Sequence, residues 1–557
     1  MEPMENRWLL STTVAEPLET EPQVTSTTSA PLAHPEDPAK QDEHAALLAL
    51  VPDSAVTHRA VKSGNWTSPA TWQNGQVPTA GANVLIPSDT EVQVNRVVHP
   101  RLRTVRVDGH LSFRTNVNTG LRVDTVVVTP SGYLEMGSAE APIAPDVVAH
   151  LYIVDRGAID RDWDPQALSR GLISHGRVSM YGQDKTDFVS LASAPRAGDT
   201  QLVLSAAPAN WQVGDFLVLT GTRYGKDENL RVRGISGNIV TVDPLRHDHD
   251  SPAADLAAYL GNLSRNVLVE SENKADNDRR GHVMFMHSPN VSINNAAFYG
   301  MGRTDKMINR NDSKLDADGQ LISGTGTNQQ GRYAVHFHRT GLDASRAPAA
   351  VEGAVVWGSP GWGFVNHGSY VNIEDSISHQ ANGAGFVGEA GNEIGAFRNN
   401  LAVHSRGSGQ VPDKRQFIPG RENDPVLPKN DDFGHSGHGF WLQGPAVEVT
   451  GNIAAGHRHA GFVFWSRGLR EGPPKEGQDD VSGFRSIPSF PAANVIGQPA
   501  LVASADEYGM VRSEDVKLRG FSNNQVFASG LGLDFSRHMF QTPKALRESG
   551  SVIDGFT

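Results

Sequence analysis

The chain has 557 residues, a formal net charge of −13 and no cysteine. At roughly 100 to 200 residues per domain, this length allows three or four compact units, or fewer when one unit is an elongated solenoid. An acidic chain lacks the positive field that attracts nucleic acid, and without thiols it forms neither disulfides nor thiolate metal sites. We therefore expect no nucleic-acid partner, and an acidic polysaccharide partner would require a local cationic or metal-bearing groove.

The first 57 residues are predicted to be a disordered segment and linker. Residues 12–57 are rich in Thr, Pro, Glu and Ala without apolar periodicity, a composition that cannot bury enough surface to order itself. Residues 1–11 resemble the "LEPR…LLS" segment near the start of many planctomycete extracellular proteins, which implies a bacterial, secreted protein whose leader is truncated or not recognisable. The sequence contains no run of eighteen apolar residues, so no membrane span is predicted.

From residue 61 the sequence changes to short alternating apolar and polar runs bounded by Gly, Pro, Asn or Asp, which predict β-strands. Residues 61–185 resemble the G8 domain, named for its eight glycines. The matching segments are Ser63-Gly-Asn-Trp66, Thr71-Trp72, Val77-Pro78, Val107–Leu111 and Ser131–Gly137. The segments that follow resemble what comes after the G8 domain in the same family. Residues 186–262 are therefore predicted to be a small β-domain that caps a solenoid.

Beyond residue 265 the chain repeats itself. The pairs Gly363-Phe364, Gly385-Phe386, Gly439-Phe440 and Gly461-Phe462 recur at intervals of 22, 54 and 22 residues. This period, with Asn at turns and without a Leu-x-x-Leu-x-Leu pattern, predicts an all-β fold: a right-handed parallel β-helix over residues 265–535, preceded by the G8 β-domain. The long interval indicates an inserted loop at residues 405–435, the four phenylalanines should form one interior ladder, and residues 536–557 are predicted to be a tail or cap.

The densest polar signal is the segment Gly331–Gly341, which reads GRYAVHFHRTG. If Val335 and Phe337 point into the solenoid, strand alternation places His336 and His338 side by side on its outer face. Such a pair is half of a site for a divalent metal ion, because neutral imidazole suits zinc, copper, iron and nickel. We therefore predict that these two histidines are catalytic and bind a metal whose identity the sequence leaves open.

The repeat register adds further candidates. Three residues past the ladder position lie His338, His367, Glu389, Gln443 and Trp465, a polar stripe on one face. Glu389, and Asp432 at the end of the insertion, are the predicted acid–base residues. The predicted substrate-binding residues are Arg332, Arg339, His367, His404, His457 and His459. A histidine in a turn is equally compatible with a capping role, so the last three have that alternative.

Taken together, these segments resemble the cell-migration-inducing, hyaluronan-degrading proteins and the cell-surface hyaluronidase of animals. The resemblance covers residues 61–468 and includes Leu263–Leu268, Gly281–Met284, Gly331–His338, Gly385–Glu389, Gly439–Trp441 and Gly451–Gly456. It implies a G8 domain plus a β-helix, an extracellular or cell-surface location, and an acidic, glycosaminoglycan-like polysaccharide as ligand. The family's Phe-Phe-Leu-Glu-Asp-Gly-like string is reduced here to FVGEAG at residues 386–391, with one acidic residue fewer.

Three functions stay open from the sequence. The first is a polysaccharide-degrading hydrolase in which the histidine-rich groove activates water through a metal or acts as acid and base. The second is a non-catalytic glycan-binding surface module. The third is a β-helix lyase that uses a base such as Arg339 or Arg458. The sequence favours the hydrolase, and it carries no signal for an oligomeric state.

Overall fold

The structure is a computed structural model, and it describes residues 38–410, 432–465, 489–537 and 551–557. Residues 1–37 and 411–431, on which parts of the predicted linker and inserted loop fall, lie outside the described residues. Within the described ranges, no helix combines the length and the apolar character needed to cross a bilayer.

The region predicted to be the G8 domain contains eleven strands. They are β1 His58–Arg59, β2 Gly64–Asn65, β3 Asn83–Ile86, β4 Glu91–Val94, β5 Val97–Val107, β6 His110–Phe113, β7 Thr119–Val128, β8 Tyr133–Met136, β9 Ala149–Ile153, β10 Gly171–Ser174 and β11 Arg177–Tyr181. Two short 3₁₀ turns, Pro69–Thr71 and Gln73–Gly75, join β2 to β3.

The next region, predicted to be a small β-domain, contains seven strands in two antiparallel sheets. They are β12 Phe188–Ser190, β13 Gln201–Val203, β14 Phe216–Leu219, β15 Glu228–Arg231, β16 Gly234–Ser236, β17 Ile239–Thr241 and β18 Tyr259–Asn262. The sheet orders are β12-β18-β14-β15 and β13-β17-β16.

The following coils run to residue 465. Their strands are β19 Val267–Ser271, β20 His282–Met286, β21 Val291–Asn294, β22 Ala296–Tyr299, β23 Val335–Gly341, β24 Ala349–Glu352, β25 Val355–Trp357, β26 Phe364–Glu374, β27 Ile377–His379, β28 Ala384–Gly388, β29 Ile394–Arg398, β30 Leu401–Val403, β31 His438–Leu442, β32 Val447–Thr450, β33 Ile453–Ala455 and β34 Ala460–Trp465.

The remaining elements close the C-terminal end. They are the antiparallel pair β35 Ser489–Pro491 and β36 Met510–Arg512, and the last coil strands β37 Phe521–Ser522, β38 Gln525–Phe527, β39 Leu531–Arg537 and β40 Ile553–Asp554. The α-helices are α1 Pro38–Ala49 and α2 Pro499–Ala503, and further 3₁₀ turns lie at Asp53–Ala55, Asn277–Arg279, Ala492–Asn494 and Ser513–Asp515. Strand β40 pairs in parallel with β37, so the end of the chain extends the solenoid.

The parallel β-helix is confirmed, but it begins earlier than predicted. Among the described residues, 31 strands from β1 to β40 join in one parallel sheet. Strand β10 pairs with both β7 and β20, and β19 pairs with both β9 and β22. The G8 strands are therefore the first coils of the same solenoid, and the predicted boundary near residue 265 is wrong. Their apolar side chains share one core with those of the later coils, which explains the continuity.

The predicted phenylalanine ladder is confirmed. Phe364, Phe386, Phe440 and Phe462 occupy one register position in successive coils. Their ring centroids are 5.1, 4.9 and 4.6 Å apart along the stack, and neighbouring rings are tilted by 12° or less. All four are buried in the solenoid core. Repetition at each coil thus places identical residues in contact, as the sequence period predicts.

Residues 186–262 do not cap the solenoid, which corrects the prediction for this region. Because β10–β11 and β19–β20 belong to stacked coils, the small β-domain is an insertion that leaves the solenoid and returns to it. It packs along the side of later coils: the rings of Phe216 and Trp357 lie 5.6 Å apart, and the Tyr259 hydroxyl donates to Gln525 over 2.9 Å. We call this unit the lateral brace. Its own apolar core is separate from that of the coils.

Helix α1 contradicts the predicted disorder of residues 38–57. Leu47 of this helix and Leu50 and Val51 directly after it are buried and pack with apolar side chains on the outer face of the coils, among them Ile173 and Met284. The composition of this segment did not predict the helix, because only three apolar residues are needed to hold it when they pack against apolar side chains of the solenoid. A 12-residue helix is marginal in isolation, so packing on the coils accounts for its order.

We predict that Phe440→Ala lowers the free energy of unfolding by about 3–5 kcal/mol, because it opens a cavity between two stacked rings. Thermal or urea unfolding of the full chain measures this loss. Val213→Ala, at a side chain that is 69% exposed, is the control and should change stability by less than about 0.5 kcal/mol. Equal effects of the two substitutions would contradict the ladder's role.

Candidate metal and ligand site

The outer side of one strand column carries the histidines predicted to be catalytic. In register order, this outer column contains Val127, Ile173, Met284, His336, Val365, Val387, Trp441 and Val463. Its first part is covered by helix α1, and its last part by Tyr333, Trp362 and Phe433. The histidines thus lie where two apolar covers meet.

Strand alternation holds as predicted, but outward does not mean exposed. Val335 and Phe337 face the core, whereas His336 and His338 face outward and are nevertheless 1% and 0% exposed. The expectation of an open histidine groove is therefore wrong for this structure. The reason is the apolar outer column, which draws α1 and the aromatic cover onto the same face.

Each of the two imidazoles has one nitrogen fixed by a hydrogen bond. His336 Nδ1 lies 2.9 Å from the Gly331 carbonyl oxygen. Because a carbonyl oxygen can only accept a hydrogen bond, Nδ1 carries the hydrogen. His338 Nε2 lies 3.3 Å from Glu43 Oε1, which accepts likewise. The other nitrogens, His336 Nε2 and His338 Nδ1, are buried and form no hydrogen bond with the described residues. Both therefore present lone pairs.

His367 and Glu389 complete the cluster from the next two coils. His367 pairs in register with His338, and its Nδ1 lies 2.9 Å from Glu389 Oε2. The same carboxylate oxygen lies 3.6 Å from His336 Nε2, and Glu389 Oε1 accepts a hydrogen bond from Gln330 Nε2 over 2.8 Å. His367 is the most accessible member, with 21% side-chain exposure.

Candidate ligand atoms of His336, His338 and His367 all lie within 4.8 Å of one another. Burial lowers the pKa of His336 to about 3 and that of His338 to about 4, so both rings are neutral near pH 7. Burial alone would raise the pKa of Glu389, but His367, His336 and the Gln330 bond outweigh it and hold that pKa well below its usual range. Neutral imidazoles beside an ionised carboxylate are a donor set that suits zinc, iron, copper or nickel.

Asp432 does not fit the predicted acid–base role. Its Oδ1 accepts from the Lys306 ammonium over 2.6 Å, and both side chains are buried. The ammonium also donates to the Phe433 carbonyl oxygen over 2.9 Å and lies 4.1 Å from the centroid of the Trp362 ring. This arrangement fastens the end of the inserted loop under the aromatic cover.

The two arginines predicted to bind substrate lie in different environments. Arg332 is buried, and its guanidinium donates to the carbonyl oxygens of Ala167, Gln166 and Gln330, so it joins loops together and is not directed at a substrate groove. Arg339 keeps 21% side-chain exposure, and its Nη1 lies 3.4 Å from Glu43 Oε1. Arg339 thus belongs to the histidine cluster.

His404, His457 and His459 do not join this cluster through the contacts that the structure gives them. His404 pairs with Asp227 of the lateral brace and stacks on Tyr224. His457 is fully buried: Nδ1 accepts from the Ser405 amide over 3.3 Å and Nε2 donates to the Ala402 carbonyl oxygen over 3.2 Å. His459 packs edge-on against His438. Their packing supports the capping alternative.

Sequence reasoning missed Glu43, His287 and Gln330. His287 Nε2 lies 2.6 Å from Glu43 Oε2, and the His287 ring lies 5.9 Å from that of His338. Gln330 holds Glu389, as described above. The position of His287 directly after the strand that pairs with His338 was a usable signal in the repeat register, whereas nothing local connects Glu43 with a segment nearly 300 residues away.

We predict that Lys306→Met destabilises the protein by about 3–5 kcal/mol, because it leaves Asp432 as a buried carboxylate without its cation. Unfolding midpoints of Lys306→Met, Asp432→Leu and the double variant test this in a double-mutant cycle. The double variant should be more stable than Lys306→Met alone, and strict additivity of the two losses would refute the pairing.

For His457→Ala we expect a loss of about 1–3 kcal/mol at pH 7, because the Ser405 amide and Ala402 carbonyl lose their partner. Burial lowers the pKa of His457 to about 3, against an ordinary value of 6.5. The unfolded chain therefore binds this proton first, and stability should fall as pH drops from 6.5 towards 3. Unfolding midpoints across that range should show a shallower slope for the variant. An unchanged slope would contradict the assignment.

Comparisons with known proteins agree with the domain order. The G8 domain family matches residues 71–192, and the family described as CEMIP beta-helix matches residues 306–482. Human fibrocystin-L is 21% identical over 458 residues, which is 73% of this chain and 10% of the relative. A G8 domain-containing protein of Dictyostelium discoideum is 22% identical over 310 residues, which is 53% of this chain and 20% of the relative. The chain thus spans a tenth to a fifth of these relatives' lengths.

Mouse fibrocystin is a further relative, 25% identical over 39% of this chain and 6% of its own length. These relatives come from human, mouse and Dictyostelium discoideum, so they do not support the predicted bacterial origin. Similar solved structures include the tailspike gp61 of Pseudomonas phage phi297. It is 12% identical, the match covers 66% of this chain and 68% of the tailspike, and the TM-score is 0.15. Another is the Gp54 tailspike of Acinetobacter baumannii phage AP22. It is 9% identical, the match covers 78% of this chain and 65% of the tailspike, and the TM-score is 0.15. The family matches confirm the predicted resemblance: residues 71–192 match the G8 domain, and residues 306–482 match the CEMIP beta-helix.

Proposed function

We propose that the protein is an extracellular, metal-dependent enzyme that degrades an acidic, glycosaminoglycan-like polysaccharide at the His336–His338–His367 cluster. Its match to the CEMIP beta-helix family supports a glycan as the substrate class, in line with the resemblance to hyaluronan-degrading proteins. The histidine cluster, with Glu389 beside it, supports metal-assisted chemistry.

One observation carries the metal assignment. A metal-bound histidine almost always donates its second ring N–H to a carbonyl or carboxylate, which fixes the ring and directs the other nitrogen to the ion. His336 does this with the Gly331 carbonyl and His338 with the Glu43 carboxylate, which leaves His336 Nε2 and His338 Nδ1 as the ligand atoms. Two rings of opposite tautomer therefore each offer one lone pair, and one ligand atom of each ring lies within 4.8 Å of one of the other.

The residues fit a divalent ion with nitrogen and oxygen ligands. His336 and His338 would hold it, with His367 and the Glu389 carboxylate as the remaining ligands. A metal ion held there would supply Lewis acidity and a water of lowered pKa for attack on a glycosidic bond. Since His367 and Gln330 keep Glu389 ionised, Glu389 suits the role of ligand or base and not that of the general acid.

Replacement of both His336 and His338 by Ala should remove the metal and reduce depolymerisation at least 100-fold. Elemental analysis of the dialysed full chain gives the metal content, and release of reducing ends from hyaluronan gives the activity. His110→Ala is the control, because this histidine contacts Glu135 on the surface of the G8 coils. Metal retained by the double variant, or degradation as fast as in the parent, would refute the site.

Glu389→Gln separates charge from shape at the same position. The amide keeps the volume and one acceptor, but it removes the negative charge that His367 and His336 face. We expect the affinity for Zn²⁺, measured by competition with a chelator of known affinity, to fall at least tenfold. An unchanged affinity would mean that Glu389 lies outside the metal's coordination shell.

A glycan-binding module is the second candidate, because His336 and His338 are buried whereas His367 and Arg339 each keep 21% of their side chain exposed. This module would bind the same oligosaccharides as the enzyme but release no reducing ends from them at any metal concentration. The lyase alternative has less support, since Arg339, one of its two candidate bases, is paired with Glu43.

A further inference from the structure

Helix α1 places a carboxylate in a pocket made by the coils. Glu43 Oε2 lies 2.6 Å from His287 Nε2, and Glu43 Oε1 lies 3.3 Å from His338 Nε2 and 3.4 Å from Arg339 Nη1. Glu43 and both imidazoles are buried. Three nitrogen atoms from two successive coils thus lie close to the two oxygens of one carboxylate.

The coil backbone, and not the helix, builds this pocket. Met286 pairs in register with His338, and the His287 amide donates to the His338 carbonyl oxygen over 3.1 Å, which holds the two bends together. His287 and Arg339 both have positive φ, 58° and 52°. The same left-handed conformation occurs at other turns of the coils, among them Gln380 and His404, so it belongs to the turn geometry of the solenoid. The carboxylate pocket is therefore preformed.

The apolar anchors of α1 lie on one side of Glu43 along the chain. Leu47, Leu50 and Val51 all follow Glu43, and so does the buried His44, whose Nδ1 lies 2.9 Å from His175 Nδ1. A cavity of about 30 Å³, which is room for about one water molecule, is lined by Glu43 and Ala46 of the helix and by Met286 and His338 of the coils, among others. The contact between the helix and the coils is incomplete above the pocket.

We propose that Glu43 occupies a carboxylate subsite formed by His287, His338 and Arg339, and that a sugar carboxylate of the ligand displaces it. Helix α1 is then a built-in competitor that keeps the histidine cluster closed until a uronic-acid-bearing glycan binds. The substituting carboxylate would accept the same hydrogen from His338 Nε2, so His338 Nδ1 would keep its direction. This inference rests on the proposed function for its ligand class, while the subsite itself is defined without the metal.

The test compares Glu43→Ala and Glu43→Gln with the parent in the full chain. The probes are a hyaluronan hexasaccharide and its carboxyl methyl ester, and calorimetry measures their dissociation constants. Removal of the competitor should tighten binding of the acid at least tenfold and leave that of the ester unchanged. Asp42→Ala is the matched control, because it removes an exposed carboxylate from the next position of the same helix and should change neither constant.

Adding His287→Ala to Glu43→Ala should abolish the gain, because the subsite loses one of its donors. Glu43→Gln keeps the helix contacts and guards against loss of fold in the alanine variant. Equal gains for acid and ester, or no difference between the Glu43 variants and Asp42→Ala, would overturn the inference. A gain for the acid in a protein that retains no metal would support the subsite and refute only the proposed enzyme.

Discussion

The outer side of one strand column is apolar along most of its length, and this single constraint shapes the functional region. Val127 and Ile173 cannot stay in water, and neither can Val365 and Val387 further along, so separate parts of the chain cover each stretch. Helix α1 covers the first stretch, and Tyr333, Trp362 and Phe433 cover the second. The histidines of the column lie between these covers and are enclosed by them, although nothing in their own packing demands it.

Enclosure decides the chemistry of the cluster. Away from water the imidazoles lose their charged forms, and each can stay buried only if its N–H finds an acceptor. Gly331 and Glu43 supply those acceptors for His336 and His338, which leaves the opposite nitrogens with lone pairs. A formal charge of −13 for the whole chain therefore says little about this site, where neutral donors, one ionised glutamate and Arg339 set the local field.

Repetition explains which features were predictable. The 22-residue period predicted the β-helix and the Phe364–Phe462 ladder, because stacked coils bring equal register positions into contact. Alternation likewise predicted the side on which His336 and His338 lie. The period could not show that the G8 strands belong to the same solenoid, since their turns differ in spacing. Nor could any local pattern show that α1, which starts 300 residues before His338, places Glu43 against that histidine, or that Lys306 pairs with Asp432. Contacts of this kind depend on complementary surfaces, and those are visible only after the coils have formed.

The lateral brace has a consequence for how the solenoid comes apart. In a simple stack each coil touches only its neighbours, so the array can fray one coil at a time from either end. Here the brace contacts two distant places in the stack. Tyr259 contacts Gln525 near the last coils, and Asn229 contacts His379 several coils earlier. Separation of the final coils must therefore break contacts with a unit whose own chain connections lie near the middle of the solenoid. We therefore expect the C-terminal coils and the brace to unfold together, and not one coil at a time.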